Sequence, residues 1–353
     1  MALKDIKSMN LAELEQEVKA LGEKPYRAAQ MYEWMHRKLC GGFGEMTNIS
    51  AAFREKCEGN FSFPVLRVVD RLESAADGTC KFLFELPDGN VIESVLMKYR
   101  HGNSVCISSQ VGCRMGCRFC ASTLGGLTRN LAPSEMLEQV YEIQKLSGER
   151  VSHIVVMGTG EPLDNLENLV RFIRMASDGN GLNISQRNIT VSTCGLPDGI
   201  RALAEEELAV NLALSLHAPN DADRRKLMPV AERYALTEVF AALDEYYERT
   251  GRRLTFEYSL VAGVNDSAQQ AEELAALIKG KNCLVNLIPV NEVKERGFKR
   301  SRAENIQNFK NILEKKRINV TIRREMGSDI NAACGQLRKS YTDRLRQQEG
   351  SRE

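Results

Sequence analysis

Residues 104–157 read SVCISSQVGCRMGCRFCASTLGGLTRNLAPSEMLEQVYEIQKLSGERVSHIVVM, and this stretch decides the fold. SVCISS (104–109) and VSHIVVM (151–157) are apolar runs of strand length, while SEMLEQVYEIQKL (134–146) repeats apolar residues at helical spacing. A strand, a helix and a second strand in that order predict a right-handed βαβ unit with parallel strands. The alternation continues toward the C-terminus. Strands are expected at 188–193, 210–216, 254–260, 283–290 and 319–325, with helices at 165–177, 268–280 and 303–316. About six such units fit between residues 104 and 325, fewer than the eight of a closed barrel. The expected fold class is α/β, an open or partial (βα)6 barrel.

Upstream the texture differs. Residues 10–22 place Leu11, Leu14, Val18 and Leu21 on one helical face, with Gly22 as a stop. Further helices are expected at 26–39 and 50–58, so residues 1–60 form a small helical accessory domain. Residues 61–98 are a short β-rich linker with runs starting at Val65, Lys81 and Val91, the last two joined by the turn Pro87-Asp88-Gly89-Asn90. The barrel core is assigned to 99–337, and 338–353, ending RLRQQEGSRE, to an exposed tail.

Composition narrows the function classes. With 353 residues, 43% hydrophobic and 27% charged, the chain is globular rather than disordered. Lys plus Arg number 48 against 47 Asp plus Glu, which excludes a globally basic nucleic-acid coat but not a local basic face. No run approaches 18 apolar residues, so no membrane association is expected. The segment MALKDIKSMNLAELEQEVKALG lacks the apolar core of a signal peptide. Ten cysteines without such a signal point to a reducing compartment, where close-spaced thiols mean metal or catalysis. Cytoplasm is the expected address.

Cys113, Cys117 and Cys120 sit in GCRMGCRFC (112–120), a loop with two glycines just after the first barrel strand. Three thiols at spacings of four and three can turn inward to one point. A structural zinc would want four closed ligands, and no second CxxC occurs in the chain. Three thiolates on an iron–sulfur cubane leave one iron open for substrate or cosubstrate. Polar residues recur at the ends of the other strands: MGTGEP (157–162), STCG (192–195), SLHAP (215–219) and NLIPVN (286–291). Barrel enzymes gather their chemistry at this end, because loops from separate units meet there.

The CxxxCxxC pattern, with Phe119 just before the last cysteine, resembles the radical S-adenosylmethionine (SAM) superfamily. Two further runs, SVCISSQVGC (104–113) and GSDINAACGQL (327–337), are similar to the radical SAM adenine C2 methyltransferases of 23S ribosomal RNA and transfer RNA. The resemblance covers nearly the whole chain. It implies a radical SAM barrel with a [4Fe-4S] cluster on Cys113, Cys117 and Cys120. It implies two SAM molecules per turnover, one as methyl donor and one as radical source. SAM contacts are implied for Gly160, Glu161, Ser192, Ser215, Leu216, His217 and Asn291. Cys334 matches the methyl-carrying cysteine, Cys106 the second catalytic cysteine and Glu93 the proposed proton acceptor. Either Glu93 or Cys106 takes the C2 proton. The expected route is a methyl-cysteine, a transient protein–RNA adduct and a transient disulfide. A flavodoxin-type electron donor and a monomer are also implied.

Cys40, Cys57, Cys80, Cys194 and Cys283 are left as packing residues. For RNA, the best basic run is Lys294 to Arg302, with Arg224-Arg225-Lys226 as an extension; a solvated charged face is the alternative for both. Two other functions stay open: a sister enzyme methylating adenine C8 with the same cysteines, and a non-catalytic iron–sulfur or zinc RNA-binding protein. The run CASTLGGL (120–127) looks more like the C2 branch.

Overall fold

The computed structural model describes residues 3–291, 293, 296–330 and 332. The N-terminal unit begins with β1 (Lys4–Asp5) and three helices, α1 (Leu11–Ala20), α2 (Tyr26–His36) and α3 (Ala51–Asn60). Asn10 starts α1 through a capping box: its side chain accepts the Glu13 N–H, and the Glu13 carboxylate accepts the Asn10 N–H. α2 stops at His36 rather than 39, because Leu39 takes a left-handed backbone (φ +57°) that no helix continues through. β2 (Phe61–Ser62) pairs in parallel with β1 and ties the unit's ends together.

This unit is docked on the barrel by buried polar contacts. Lys7 Nζ lies 2.6 Å from Glu138 Oε1, both side chains almost fully buried, and also stands over the Phe63 ring. His36 Nδ1 meets the Tyr141 hydroxyl at 2.7 Å, and the Tyr32 hydroxyl donates to Asp178. Truncating one partner of such an ion pair strands the other charge away from water, at a cost of about 3–5 kcal/mol.

Residues 61–98 do more than connect. β3 (Arg67–Glu73), β4 (Cys80–Glu85) and β5 (Val91–Tyr99) form an antiparallel meander, and β5 pairs antiparallel with β6 (Gly102–Cys106). A small ribbon, β7 (Gln110–Gly112) with β8 (Leu127–Asn130), then brackets the cysteine loop. The βα units follow as α4 (Pro133–Ser147), β9 (Val151–Val156), α5 (Leu166–Ser177), β10 (Ile189–Thr193), α6 (Pro197–Glu205) and β11 (Asn211–Ser215). They continue as α7 (Asp221–Leu227), α8 (Leu236–Thr250), β12 (Leu254–Leu260), α9 (Ala268–Leu277), β13 (Cys283–Pro289), α10 (Ala303–Lys315) and β14 (Asn319–Ile322).

The main sheet runs β14-β13-β12-β11-β10-β9-β6-β5-β4-β3, parallel from β14 to β6. β14 and β3 are its two edges, so the barrel stays open. The predicted partial (βα)6 barrel is what forms, with the antiparallel meander added on the β6 side. Strand alternation sets its two faces: Ile189 and Val191 are buried in the main core, while Thr190 and Ser192, which alternate with them, are half-buried. No helix among the described residues is long and apolar enough to cross a membrane.

Candidate active site

Cys113, Cys117 and Cys120 line one cavity at the loop end of the parallel strands. The ribbon of β7 and β8 holds the loop's root: Gly112 has φ +77°, and a Cβ there would collide with the Gly126 carbonyl oxygen. That carbonyl instead accepts the Cys113 N–H at 2.9 Å. The Thr123 hydroxyl lies 3.1 Å from the carbonyls of both Cys117 and Cys120, and Arg296 donates to the Cys120 carbonyl at 3.0 Å. The Arg118 N–H reaches the Leu227 carbonyl, and the Arg114 side chain pairs with Asp164. Burial pushes the Cys113 thiol up to about 12 and raises that of Cys117 too. Only a strong electrophile in the cavity would hold them as thiolates at neutral pH.

Around the same cavity stand Gly160, Glu161, Ser192, Ser215, His217 and Asn291. Gly160 has φ +114°, and any Cβ would sit 2.7 Å from both Gln110 Cβ and Ser109 Oγ, so only glycine lets this loop press against the segment after β6. The next residue, Glu161, is buried; its Oε2 accepts the Cys194 N–H at 2.7 Å and its Oε1 the Leu163 N–H at 3.1 Å. Burial raises its carboxyl pKa. The carboxylate thus braces two loops before it offers anything to a ligand. His217 is held in a left-handed conformation (φ +56°) while its Nδ1 accepts the Ser259 N–H at 2.9 Å. That bond puts the ring proton on Nε2. Burial, then the charge of Arg224, lowers the His217 pKa to about 3, so the ring is neutral. Phe119 packs edge-on against it, 4.8 Å between centroids.

Leu216 departs from this group. Its side chain is fully buried in the main core, and its carbonyl accepts Arg224 Nε, so the expected contact would have to come from its backbone.

Cys106 lines a second, adjoining cavity with Val95 and Met97 of β5, Arg300, Met326 and Ala332. Met157, Ile288, Asn291 and Arg323 line both cavities and form the wall between them. Cys334 lies outside the described residues; Ala332, two positions before it in sequence, is buried and packs with Cys106. Glu93 shares a face of β5 with Val95, one repeat nearer the loop end, roughly 7 Å along the strand. It is buried with Lys81 Nζ 3.9 Å away, and the Ser108 hydroxyl donates to its carbonyl. Glu93 is therefore beside this cavity rather than in its lining.

Several residues were misread or missed. Arg224 was expected to extend an RNA-facing patch, but it is fully buried: its guanidinium caps the carbonyls of Cys194, Ser215 and Leu216. Strand ends that stop in a polar cavity leave carbonyls short of donors, and the first residue of the basic triplet supplies them. Lys226 pairs with Asp223 beside it. In the other basic run Arg296 turns inward to the cysteine loop and Arg300 pairs with Glu325, while Lys299 is exposed. Lys294 lies outside the described residues. Cys194, assigned to packing, is buried on the cavity wall. Unforeseen were Glu257 and Arg323. The Glu257 carboxylate accepts Asn286 Nδ2 at 2.9 Å, burial raises its pKa, and Arg323 opposes the rise. An acid in the middle of the apolar strand LTFEYSL was the available signal.

The donor set fits the implied [4Fe-4S] cluster. Among the described residues no three His, Cys, Asp or Glu side chains converge as they would on one ion, while three thiols surround a shared cavity. Arg224, whose guanidinium caps the carbonyls of the cavity-lining Cys194 and Ser215, keeps a buried Nη1 with no hydrogen-bond partner among the described residues, a positive charge close behind the cavity wall.

Comparison with known proteins agrees. Residues 4–62 match the ribosomal RNA large subunit methyltransferase N-terminal domain, and residues 107–278 the radical SAM superfamily, which implies SAM and a [4Fe-4S] cluster. The "Probable dual-specificity RNA methyltransferase RlmN" of Lachnoclostridium phytofermentans is 67% identical over 98% of this chain and 97% of its own. Its namesake from Lachnospira eligens is 57% identical over 98% and 99%. A crystal structure of a radical SAM methyltransferase from Sphaerobacter thermophilus superposes with a TM-score of 0.91, at 43% identity, covering 95% of this chain and 99% of that one. The barrel, the three-cysteine loop and these likenesses lead to one conclusion: the chain belongs to the RlmN family of radical SAM RNA methyltransferases.

Proposed function

We propose that this enzyme methylates C2 of a specific adenine in 23S ribosomal RNA and of an adenine near the anticodon of transfer RNA. The observation that carries the reading is the pair of adjoining cavities. One gathers Cys113, Cys117, Cys120 and the polar strand ends; the other holds Cys106 beside Ala332, close in sequence to Cys334. Chemistry begun in the first can pass to a thiol in the second across a wall of four side chains.

Adenine C2 is electron-poor and cannot attack a sulfonium methyl as an amine would. Cys334, as thiolate, takes the methyl of one SAM by displacement. Cys113, Cys117 and Cys120 would hold a [4Fe-4S] cluster that, reduced and with a second SAM bound, would supply the 5′-deoxyadenosyl radical to remove hydrogen from this methylthio group. The resulting carbon radical on Cys334 bonds to C2, joining protein and RNA. Loss of the C2 proton, to Glu93 or Cys106, and of one electron, which the oxidised cluster would take back, restores the ring. Cys106 then attacks the Cys334 sulfur, the sulfur–carbon bond breaks, and the released carbon takes a proton to become the methyl group. The new disulfide is reset by thiol exchange.

In this reading Gly160, Glu161, Ser192, Ser215, His217, Asn291 and the Leu216 backbone hold SAM. The neutral His217 offers Nε2–H to it as a donor. Residues 1–60 help dock the RNA, a flavodoxin-type protein delivers the electrons, and the enzyme works as a cytoplasmic monomer. The test is anaerobic incubation of reconstituted protein, SAM and reductant with RNA lacking the modification, followed by mass spectrometry of the digest. 2-Methyladenosine is expected. 8-Methyladenosine would move the activity to the sister reaction, and no 5′-deoxyadenosine would remove the radical chemistry.

A further inference from the structure

Arg224 is a fully buried cation on the helix that contacts the cysteine loop, and its surroundings are unusual. Its Nε and Nη2 are spent on backbone carbonyls, at 3.3 Å from Leu216 and 2.5 Å from Cys194. Nη1 has no hydrogen-bond partner among the described residues, and no carboxylate there pairs with the guanidinium. An uncompensated buried charge costs several kcal/mol, and carbonyl dipoles return only part of it. The helix that carries it, α7, is joined to the cysteine loop through the Arg118 N–H on the Leu227 carbonyl at 2.8 Å. Cys194, Leu227 and Met228 pack with Cys117 and Phe119 in one apolar cluster. Burial lowers its pKa, and negative charge on the Cys194 or Cys117 sulfur, or on the Asp221 carboxylate, opposes that fall.

We propose that Arg224 is the fixed counter-charge of the iron–sulfur cluster and raises the cluster's reduction potential. This rests on the reading that Cys113, Cys117 and Cys120 hold a [4Fe-4S] group. One-electron reduction adds one negative charge to that group, and a cation held in a dry site favours the more negative state. Charge and hydrogen bonds at sulfur are the levers that set such potentials. The electron comes from a donor outside the chain, and no bond of Arg224 breaks. Arg224 is a positioning residue.

The experiment compares reconstituted wild type, Arg224→Met and Arg224→Lys by anaerobic titration with dithionite and mediator dyes, read by EPR. Arg224→Met is expected to lower the reduction constant tenfold or more, about 59 mV for a one-electron couple. Arg224→Lys should recover part of the shift. A purely structural role would lower stability and leave the potential in place, so equal potentials in the three proteins overturn the proposal. Pulsed EPR of reduced wild type grown with 15N-arginine supplies a second readout that needs no Met variant: a nitrogen coupling that Arg224→Lys lacks is expected. Its absence from wild type also overturns the proposal. A wild type without any four-iron spectrum instead overturns the cluster assignment beneath it.

Discussion

The cavity around Cys113, Cys117 and Cys120 and the cavity around Cys106 touch, yet they are built on different principles. The first collects loops that follow parallel strands, so every contributing residue is delivered to the same end by the βα repeat. The second needs an antiparallel strand: Val95 and Met97 of β5 face it, opposite Cys106 and Ser104 of β6, and residues 323–326 supply the other side. A closed barrel would pair the outer edge of β6 with the last strand. Here that edge takes β5, and the opening on the β14 side is kept. Leaving the barrel incomplete is what makes room for a second site next to the first.

The sharpest way to break this division is to remove one thiol from each side. Cys117→Ala should abolish both 5′-deoxyadenosine formation and RNA methylation. Cys106→Ala should abolish only clean methylation: SAM cleavage continues, and a protein–RNA adduct accumulates on denaturing gels. Clean turnover by Cys106→Ala would show that the second cavity is not a separate stage. Next in size is Glu93→Gln. If this buried acid takes the proton, methylation falls about 10²–10⁴-fold while uncoupled SAM cleavage stays within a few-fold. An unaltered rate would assign the proton to Cys106.

A smaller effect concerns acid stability, which the second cavity should not share. His217 in the first cavity and His36 at the docked helices are both buried, with pKa values lowered from 6.5 to about 3, by burial and by nearby Arg224 and Lys7 respectively. Below pH 6.5 the unfolded chain binds protons that the folded one refuses. Their contribution is complete above 6.5 and is lost toward pH 3, by up to about 1.4 kcal/mol per pH unit for each ring. Urea unfolding of wild type and His36→Gln between pH 7 and 5 measures it: the wild type should lose more stability on acidification than the variant. Equal slopes would mean that His36 titrates normally. Smallest is Lys299→Glu, on the exposed part of the basic run. It should weaken RNA binding and reduce the salt slope by about 1, leaving SAM cleavage untouched.

Legibility in the amino-acid order follows the same division. The parallel half announces itself through period-3.6 helices between apolar strands and polar residues at the strand ends. That pattern put the cysteine loop and the polar runs 157–162, 192–195, 215–219 and 286–291 at one end, and the residues that the resemblance singled out within them, Gly160, Ser192, Ser215, His217 and Asn291, line one cavity. The antiparallel half showed its hairpin through Pro87-Asp88-Gly89-Asn90, but nothing local says that β5 will pair with β6 and bring Val95 opposite Cys106. Single charged residues were the hardest to read. A basic triplet on a short helix suggests solvent, and only the assembled strand ends reveal that Arg224 is needed to cap three carbonyls. Glu257 escaped for the opposite reason: an acid in an apolar strand reads as an exception until Asn286 and Arg323 stand beside it.

The most direct test of the account is 57Fe Mössbauer spectroscopy of anaerobically reconstituted enzyme before and after SAM is added. Three cysteine ligands on four irons require one iron to differ from its neighbours and to change its parameters when SAM binds. Four equivalent irons that ignore SAM, or a protein that takes up zinc in place of iron, would contradict it.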